Sequence, residues 1–181
     1  MSARLQEKYK TEISAALVSR FGYTNPTSVP KLGKIVISMG IGDAHTNKAR
    51  LEMAFKQLTQ IAGQKPVITK ARKSISNFKL REDYPVGVKV TLRGTRMWEF
   101  LDRLISLAIP RVKDFRGLNP AGFDGRGNYN MGLVEQSVFP EIDPARLTAN
   151  QGMNIAMQTS ADTDEEAREL LSGLGMPFRK N

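Results

Sequence analysis

The chain has 181 residues, 25% charged and 40% hydrophobic, which is long enough to bury about 70% of its unfolded surface in one core and too apolar for a wholly disordered chain. It contains no Cys, so a disulfide scaffold, a thiolate zinc site and a cysteine nucleophile are excluded together. Lys and Arg outnumber Asp and Glu by 27 to 18, a net charge of +9, and the excess is uneven: residues 1–120 carry +13 and residues 121–181 carry −4.

Leu5, Tyr9, Ile13, Ala16, Leu17 and Phe21 recur at three- and four-residue steps, which predicts an amphipathic helix over about 3–21, ended by Gly22. Residues 34–39 read as a strand closed by Gly40 and Gly42. Asn47 is placed to cap a second helix with the apolar face Leu51, Ala54, Phe55, Leu58, Ile61 and Ala62, and Gly63 sits at its end. Residues 66–70 form a short strand. Residues 86–92 form a longer one, with Val86, Val88, Val90 and Leu92 on one face and Gly87, Lys89, Thr91 and Arg93 on the other. Between these two strands, residues 71–85 are basic and lack periodicity.

Thr95 is expected to cap a third helix carrying Trp98, Leu101, Leu104, Ile105 and Ala108 and stopped at Pro110. Residues 111–132 read as loop, and 129–134 and 153–159 as strands. Thr163-Asp164-Glu165-Glu166 fits a capping box opening a last helix that ends near Gly173 or Gly175. The pattern predicts a single α+β domain over 1–181: a mostly antiparallel sheet with helices packed on one face, an open face, and one long basic loop. Val86, Val88, Val90 and Leu92 are expected to pack against Trp98, Leu101 and Ile105. No apolar run reaches the ~20 residues of a membrane span and residues 1–8 hold no signal-peptide core, so a soluble, cytosolic chain without a membrane partner is expected.

Enzyme chemistry finds little support. The single histidine, His45, has no nucleophile or histidine partner in its motif and reads as a solvated loop residue. Gly40-Ile41-Gly42 precedes a helix but lacks the Walker lysine and the third glycine of a dinucleotide fingerprint, so a tight turn is the stronger reading; a nucleotide-dependent enzyme using 40–47 is the weakest alternative. Gly122-Phe123-Asp124-Gly125-Arg126-Gly127-Asn128-Tyr129 resembles a cofactor loop but stands before a strand, the reverse of a phosphate cradle, and reads as a flexible loop or turn. Asp162, Asp164, Glu165, Glu166 and Glu169 suit a helix N-terminus without any metal. No catalytic residue, metal ligand or cofactor is expected.

Nucleic-acid binding is better supported. From Lys65 to Arg116 there are 13 basic and 5 acidic residues. Residues 70–81 mix cations with hydroxyls, an amide and an aromatic, the groups that hold phosphates, 2′-hydroxyls and unstacked bases. Lys89 and Arg93 continue the charge onto a sheet face, and Lys48 and Arg50 add to it from a helix start. These features point to RNA.

At these same residues the chain resembles the bacterial large-subunit ribosomal protein L5 family. The resemblance is carried by Val36-Ile37-Ser38-Met39-Gly40-Ile41-Gly42, Gly63-Gln64-Lys65-Pro66, Lys73-Ser74-Ile75, Phe78-Lys79-Leu80-Arg81 and Gly87-Val88-Lys89-Val90-Thr91-Leu92-Arg93-Gly94. Phe100-Leu101-Asp102-Arg103-Leu104, Pro110-Arg111-Val112-Lys113-Asp114-Phe115-Arg116-Gly117, Phe123 to Tyr129, Phe139-Pro140-Glu141-Ile142-Asp143, Thr163 to Ala167 and Gly175-Met176-Pro177-Phe178 extend it over nearly the whole chain.

The resemblance implies a structural constituent of the large ribosomal subunit in the cytoplasm. The implied partners are 5S rRNA in the central protuberance, 23S rRNA and neighbouring large-subunit proteins, P-site tRNA, and a small-subunit head protein reached through an intersubunit bridge. It places the 5S rRNA surface at Ser38, Gly40, Asn47, Lys48, Gln64, Lys65, Lys89, Thr91 and Arg93. The family often has Asn where this chain has Ser38, and a hydroxyl makes fewer hydrogen bonds than an amide. The projection 72–84 would face tRNA through Arg72, Lys73, Ser74, Asn77, Lys79 and Arg81. Segments 111–117 and 134–143 would form the protein bridge, with Arg111, Val112, Lys113, Asp114, Phe115, Val134, Glu135, Glu141 and Asp143. An assembly factor or translational regulator on the same fold is the alternative to a resident ribosomal protein.

Overall fold

β1 (Leu32–Gly40) is the middle strand of the sheet, and its alternation separates two faces. Ile35, Ile37 and Met39 are at most 1% exposed, whereas Val36 and Ser38 between them are half-open. The computed structural model describes residues 3–147 and 149–179. In it, β2 (Val67–Lys70), β3 (Pro85–Leu92), β4 (Tyr129–Leu133) and β5 (Met153–Thr159) join β1 in the order β2-β3-β1-β5-β4, every neighbouring pair antiparallel. Ile35 lies opposite Leu92 and Met157, and Ile37 opposite Val90 and Ile155, so the inward residues of three strands stand in rows. A slip of one residue would turn every row outward.

Helices cover the apolar side. The predicted first helix is α1 (Arg4–Lys8) and α2 (Ser14–Phe21), joined by a π turn at Tyr9–Ile13 and ended by Gly22 at φ 70°. α3 (Lys48–Ala62) is capped as expected: the Asn47 side chain accepts from the Arg50 N–H at 3.2 Å, and Gly63 at φ 62° ends it. α4 (Gly94–Arg103) begins one residue before Thr95, with no side-chain cap. The helical path runs on through a π turn at Leu104–Ala108 and a 3-10 turn at Ile109–Arg111. Pro110 is accommodated in the first turn of that last piece, where a missing N–H costs nothing.

α3 packs against β3, while α4 meets β1, α1 and α3; Val88, Val90, Leu92, Trp98 and Leu101 share one buried cluster with Ile105 packed against it. Gly94 at φ 57° turns the chain directly out of β3, sending α4 under the sheet centre, where the Trp98 ring meets Tyr9 at 5.9 Å. Val86 is only half-buried. Phe100 and Phe139, both at most 1% exposed, stack at 5.9 Å in the core.

α5 (Asp164–Gly173) opens on the expected capping box: Thr163 Oγ1 accepts from the Glu166 N–H, and the Glu166 carboxylate accepts from the Thr163 N–H. Glu166 also accepts from the Tyr23 hydroxyl, and Arg20 pairs with Glu169 at 2.6 Å, fastening α5 to the N-terminal helices. Thr163→Ala is expected to cost about 1 kcal/mol in urea denaturation, the usual loss for a helix cap. A stability equal to the parent's would mean that Glu166 and Tyr23 hold this corner without the cap.

Candidate nucleic-acid interface

Among the described residues, no helix covers the face of the sheet away from the core. Because paired residues in an antiparallel ladder point the same way, the register writes its surface in rows. One row is Gly132, Asn154, Ser38, Lys89 and Val67; the next is Asn130, Ala156, Val36 and Thr91; Lys34 stands opposite Gln158 beyond them. Lys89, Arg93, Asn130, Asn154 and Gln158 are exposed, and Lys34, Ser38 and Thr91 half-exposed. The surface therefore carries cations toward β3 and carboxamides toward β4, with hydroxyls between them.

Close approach of β1 and β3 depends on one glycine. A Cβ on Gly87 would stand 2.3 Å from the Met39 carbonyl oxygen, so only glycine lets the strands pair through Gly40 opposite Gly87. At the border of this face, Gln64 donates to the Thr91 carbonyl at 3.2 Å and accepts from Arg96 at 3.4 Å, a fixed amide between α3 and β3. Lys65 is exposed beside it, and Lys48 is exposed at the first turn of α3. The Asn47 side-chain oxygen is engaged as helix cap, leaving its NH₂ group as donor.

The basic segment 71–84 folds as a hairpin. Ala71 donates to the Tyr84 carbonyl at 2.8 Å, Ile75 and Leu80 exchange backbone bonds of 2.9 and 3.1 Å, and a 3-10 turn at Ser76–Phe78 forms the tip. Arg72, Lys73, Ser74, Asn77, Lys79 and Arg81 are all exposed on it, and Phe78 at the tip is 74% exposed. The Ser74 hydroxyl accepts from the Glu82 N–H at 2.9 Å.

The segments expected to meet a protein are only partly brought together. Arg111, Val112 and Lys113 share a groove of about 380 Å³ with Val134, Glu135 and Val138, and Val134 is 84% exposed. Phe115 is half-buried and Asp114 exposed next to them. Glu141 and Asp143 lie apart, along a groove against α3. Glu141 pairs with Arg103, which also donates to the Ile61 carbonyl at 2.9 Å, and Asp143 caps the turn Pro144–Arg146.

Features that resembled catalytic loops have structural explanations. In 40–47, the N–H groups of Ala44, Thr46 and Asn47 donate to Ile41 and Asp43 carbonyls, which closes the segment as a tight turn. In 122–129 the Asp124 carboxylate accepts from the Asn128 side chain and from the Arg126 and Asn128 N–H groups, which holds its pKa below the usual carboxylate range. Asp164 accepts from Gly125 and Gly127 across the chain. This segment is a tied turn rather than a flexible loop. His45, expected in solvent, is half-buried and stacked on Tyr84.

Asn130, Asn154 and Gln158 escaped the sequence reading. The alternation of 153–159 marks Asn154 and Gln158 as outward, but nothing local says that β5 pairs with β1 and thereby extends the open face.

A five-stranded antiparallel sheet with one bare face that carries exposed cations, hydroxyls and amides defines an α+β protein with a surface suited to a polyanion. Residues 25–81 match the Ribosomal protein L5 family and residues 85–178 the ribosomal L5P family C-terminus. The chain is 57% identical over 180 residues to the large ribosomal subunit protein uL5 of Brevibacillus brevis, covering 99% of this chain and 100% of that protein. It is also 57% identical over 179 residues to the large ribosomal subunit protein uL5 of Rubrobacter xylanophilus, covering 99% of each. The chain belongs to the bacterial ribosomal protein uL5 family: it is an rRNA-binding structural constituent of the large ribosomal subunit, cytoplasmic, and not an enzyme.

Proposed function

We propose that the chain binds 5S rRNA through the open sheet face and helps to anchor it in the central protuberance, beside 23S rRNA and other proteins of that region. The observation that carries this reading is the coincidence, on one helix-free face, of Lys34, Lys89 and Arg93 with Ser38, Thr91 and the fixed Gln64 amide. Cations release counterions from phosphates and supply affinity; hydroxyls and amides read the 2′-hydroxyls and edges of a wide, shallow groove. Gly40, Asn47, Lys48 and Lys65 are exposed and complete the contact in this reading. One continuous buried cluster, reaching from Leu5 to Met176, supports reading 1–181 as a single RNA-binding domain.

The hairpin 71–84 faces P-site tRNA in this reading. Arg72, Lys73, Lys79 and Arg81 supply charge, Ser74 and Asn77 hydrogen bonds, and Phe78 an aromatic surface for stacking. The groove between 111–113 and 134–138 meets the small-subunit head protein, with Asp114 and Phe115 beside it, whereas Glu141 and Asp143 sit too far round toward α3 to share that groove.

Two double variants separate the surfaces. Thr91→Ala with Arg93→Ala is expected to weaken 5S rRNA binding at least tenfold in gel shifts, the loss of one charged and one neutral contact. Arg72→Ala with Lys73→Ala is expected to leave that affinity within about twofold and to reduce P-site tRNA protection on reconstituted ribosomes, because the hairpin lies outside the sheet face. A larger 5S defect in the second pair would reverse the assignment of the two faces.

A further inference from the structure

Between the basic hairpin and the loop before α3 lies a cavity of about 690 Å³ that neither the sheet face nor the hairpin tip accounts for. Its walls carry three kinds of group. His45 and Tyr84 stack with ring centroids 5.5 Å apart and planes 18° apart, giving an aromatic floor. Ser74 and Ser76 present hydroxyls; Ser74 accepts from the Glu82 N–H, which leaves its own proton to donate. Lys79 and Arg81 bring two cations, and no carboxylate lines the cavity.

One residue of the lining carries an unsatisfied atom. The His45 Nδ1 is buried without a hydrogen-bond partner, although a buried polar atom left unpaired is costly. In the loop that carries it, Thr46 and Asn47 donate to the Asp43 carbonyl and Arg50 pairs with Asp43 at 3.1 Å, although the Arg50 Nε also lacks a partner. Of the buried side-chain atoms without a partner among the described residues, His45 Nδ1 is the one carried by a residue that lines this cavity.

We propose that this cavity takes one unstacked nucleotide of a single-stranded RNA segment, with its phosphate against Lys79 and Arg81, its ribose hydroxyls against Ser74 and Ser76, and its base on the Tyr84–His45 floor. Aromatic rings, hydroxyls and paired cations at this spacing are the combination that receives a splayed-out ribonucleotide. A cavity of this size lies in the range that holds such a ligand. The hairpin then acts as one jaw of a clamp whose other jaw is the loop 42–47, not only as a charged projection. The inference rests on the chain being an RNA-binding protein, and not on the assignment of the sheet face to 5S rRNA.

The test uses the full chain and a uridine hexaribonucleotide carrying one 4-thiouridine. Irradiation followed by nuclease digestion and peptide mapping is expected to place the nucleotide adduct on peptides containing His45, Tyr84 or residues 74–81. Tyr84→Ala is expected to weaken hexamer binding by about five- to a hundredfold, the loss of one base–aromatic stack, while Tyr84→Phe keeps it. The deoxyuridine hexamer is expected to bind more weakly than the ribose form. Should Tyr84→Ala fail to fold, the adduct map of the parent chain still decides. Adducts confined to peptides of β1 and β3, or a hexamer affinity indifferent to Tyr84→Ala in a folded variant, overturn the cavity assignment while leaving RNA binding by the sheet intact. Absence of binding by both the hexamer and 5S rRNA overturns both readings together.

Discussion

Raising the salt concentration from 50 to 200 mM is expected to weaken 5S rRNA binding by about 130- to 500-fold. Lys34 and Lys89 stand on the bare face and Lys48, Lys65 and Arg93 are exposed; five phosphates neutralised by these cations give a slope of about −3.5 to −4.5 in log affinity against log salt. Filter binding at a series of potassium chloride concentrations measures it. Lys89→Ala is expected to flatten the slope by about 0.7 to 0.9, because one fewer counterion is released. Asn154→Ala with Gln158→Ala is expected to lower affinity about tenfold at every salt concentration with the slope unchanged, because neutral amides displace no counterions. The contrast tests the division of the open face into a charged half on β3 and an amide half on β5. A slope shallower than −2 in the parent chain would mean fewer than about three neutralised phosphates and would overturn the five-cation contact.

Phe100→Ala is expected to destabilise the protein by about 3–5 kcal/mol, the usual loss for truncating a fully buried aromatic ring. The ring is 0% exposed, stacks on Phe139 and sits on α4 where that helix meets β1, so the cavity it leaves cannot be filled from solvent or by a neighbouring loop. Against a total stability of roughly 5–15 kcal/mol, such a loss removes about a fifth of it or more. Urea denaturation followed by Trp98 fluorescence measures it. Phe100→Leu keeps most of the volume and is expected to lose clearly less. A loss below 1 kcal/mol for the alanine variant would show that α4 repacks freely beneath the sheet, and the rigidity claimed for the RNA-binding face would go with it.

Local signals carried much of the architecture. The alternation of Ile35, Ile37 and Met39, the Asn47 cap with Gly63 at the far end of α3, and the Thr163–Glu166 capping box are each decided within a few residues, so their elements appear where expected. The boundaries of α4 were less legible. Thr95 is a good cap in isolation, but the left-handed turn at Gly94 starts the helix before Thr95 can serve. Periodicity names the apolar face of a helix and says nothing about which strand it will cover.

The candidate site divides in the same way. Lys89, Thr91 and Arg93 could be read from one strand, because a period of two puts them on one side. Asn130, Asn154 and Gln158 could not, because their membership of that surface depends on β5 pairing with β1 and β4 with β5, contacts between segments far apart in the chain. His45 shows the limit most clearly: its neighbour Tyr84 is 39 positions away, and only the folding of the hairpin over the loop before α3 stacks the two rings.

From the amino-acid order alone came the element types, the caps, the lopsided charge and the family, since all of these depend on side-chain identity and near-neighbour spacing. The folded chain decided strand order, which helix backs which strand, how far the bare face extends and the cavity under the hairpin. Those depend on which distant surfaces exclude water from one another, and that is settled by packing in three dimensions.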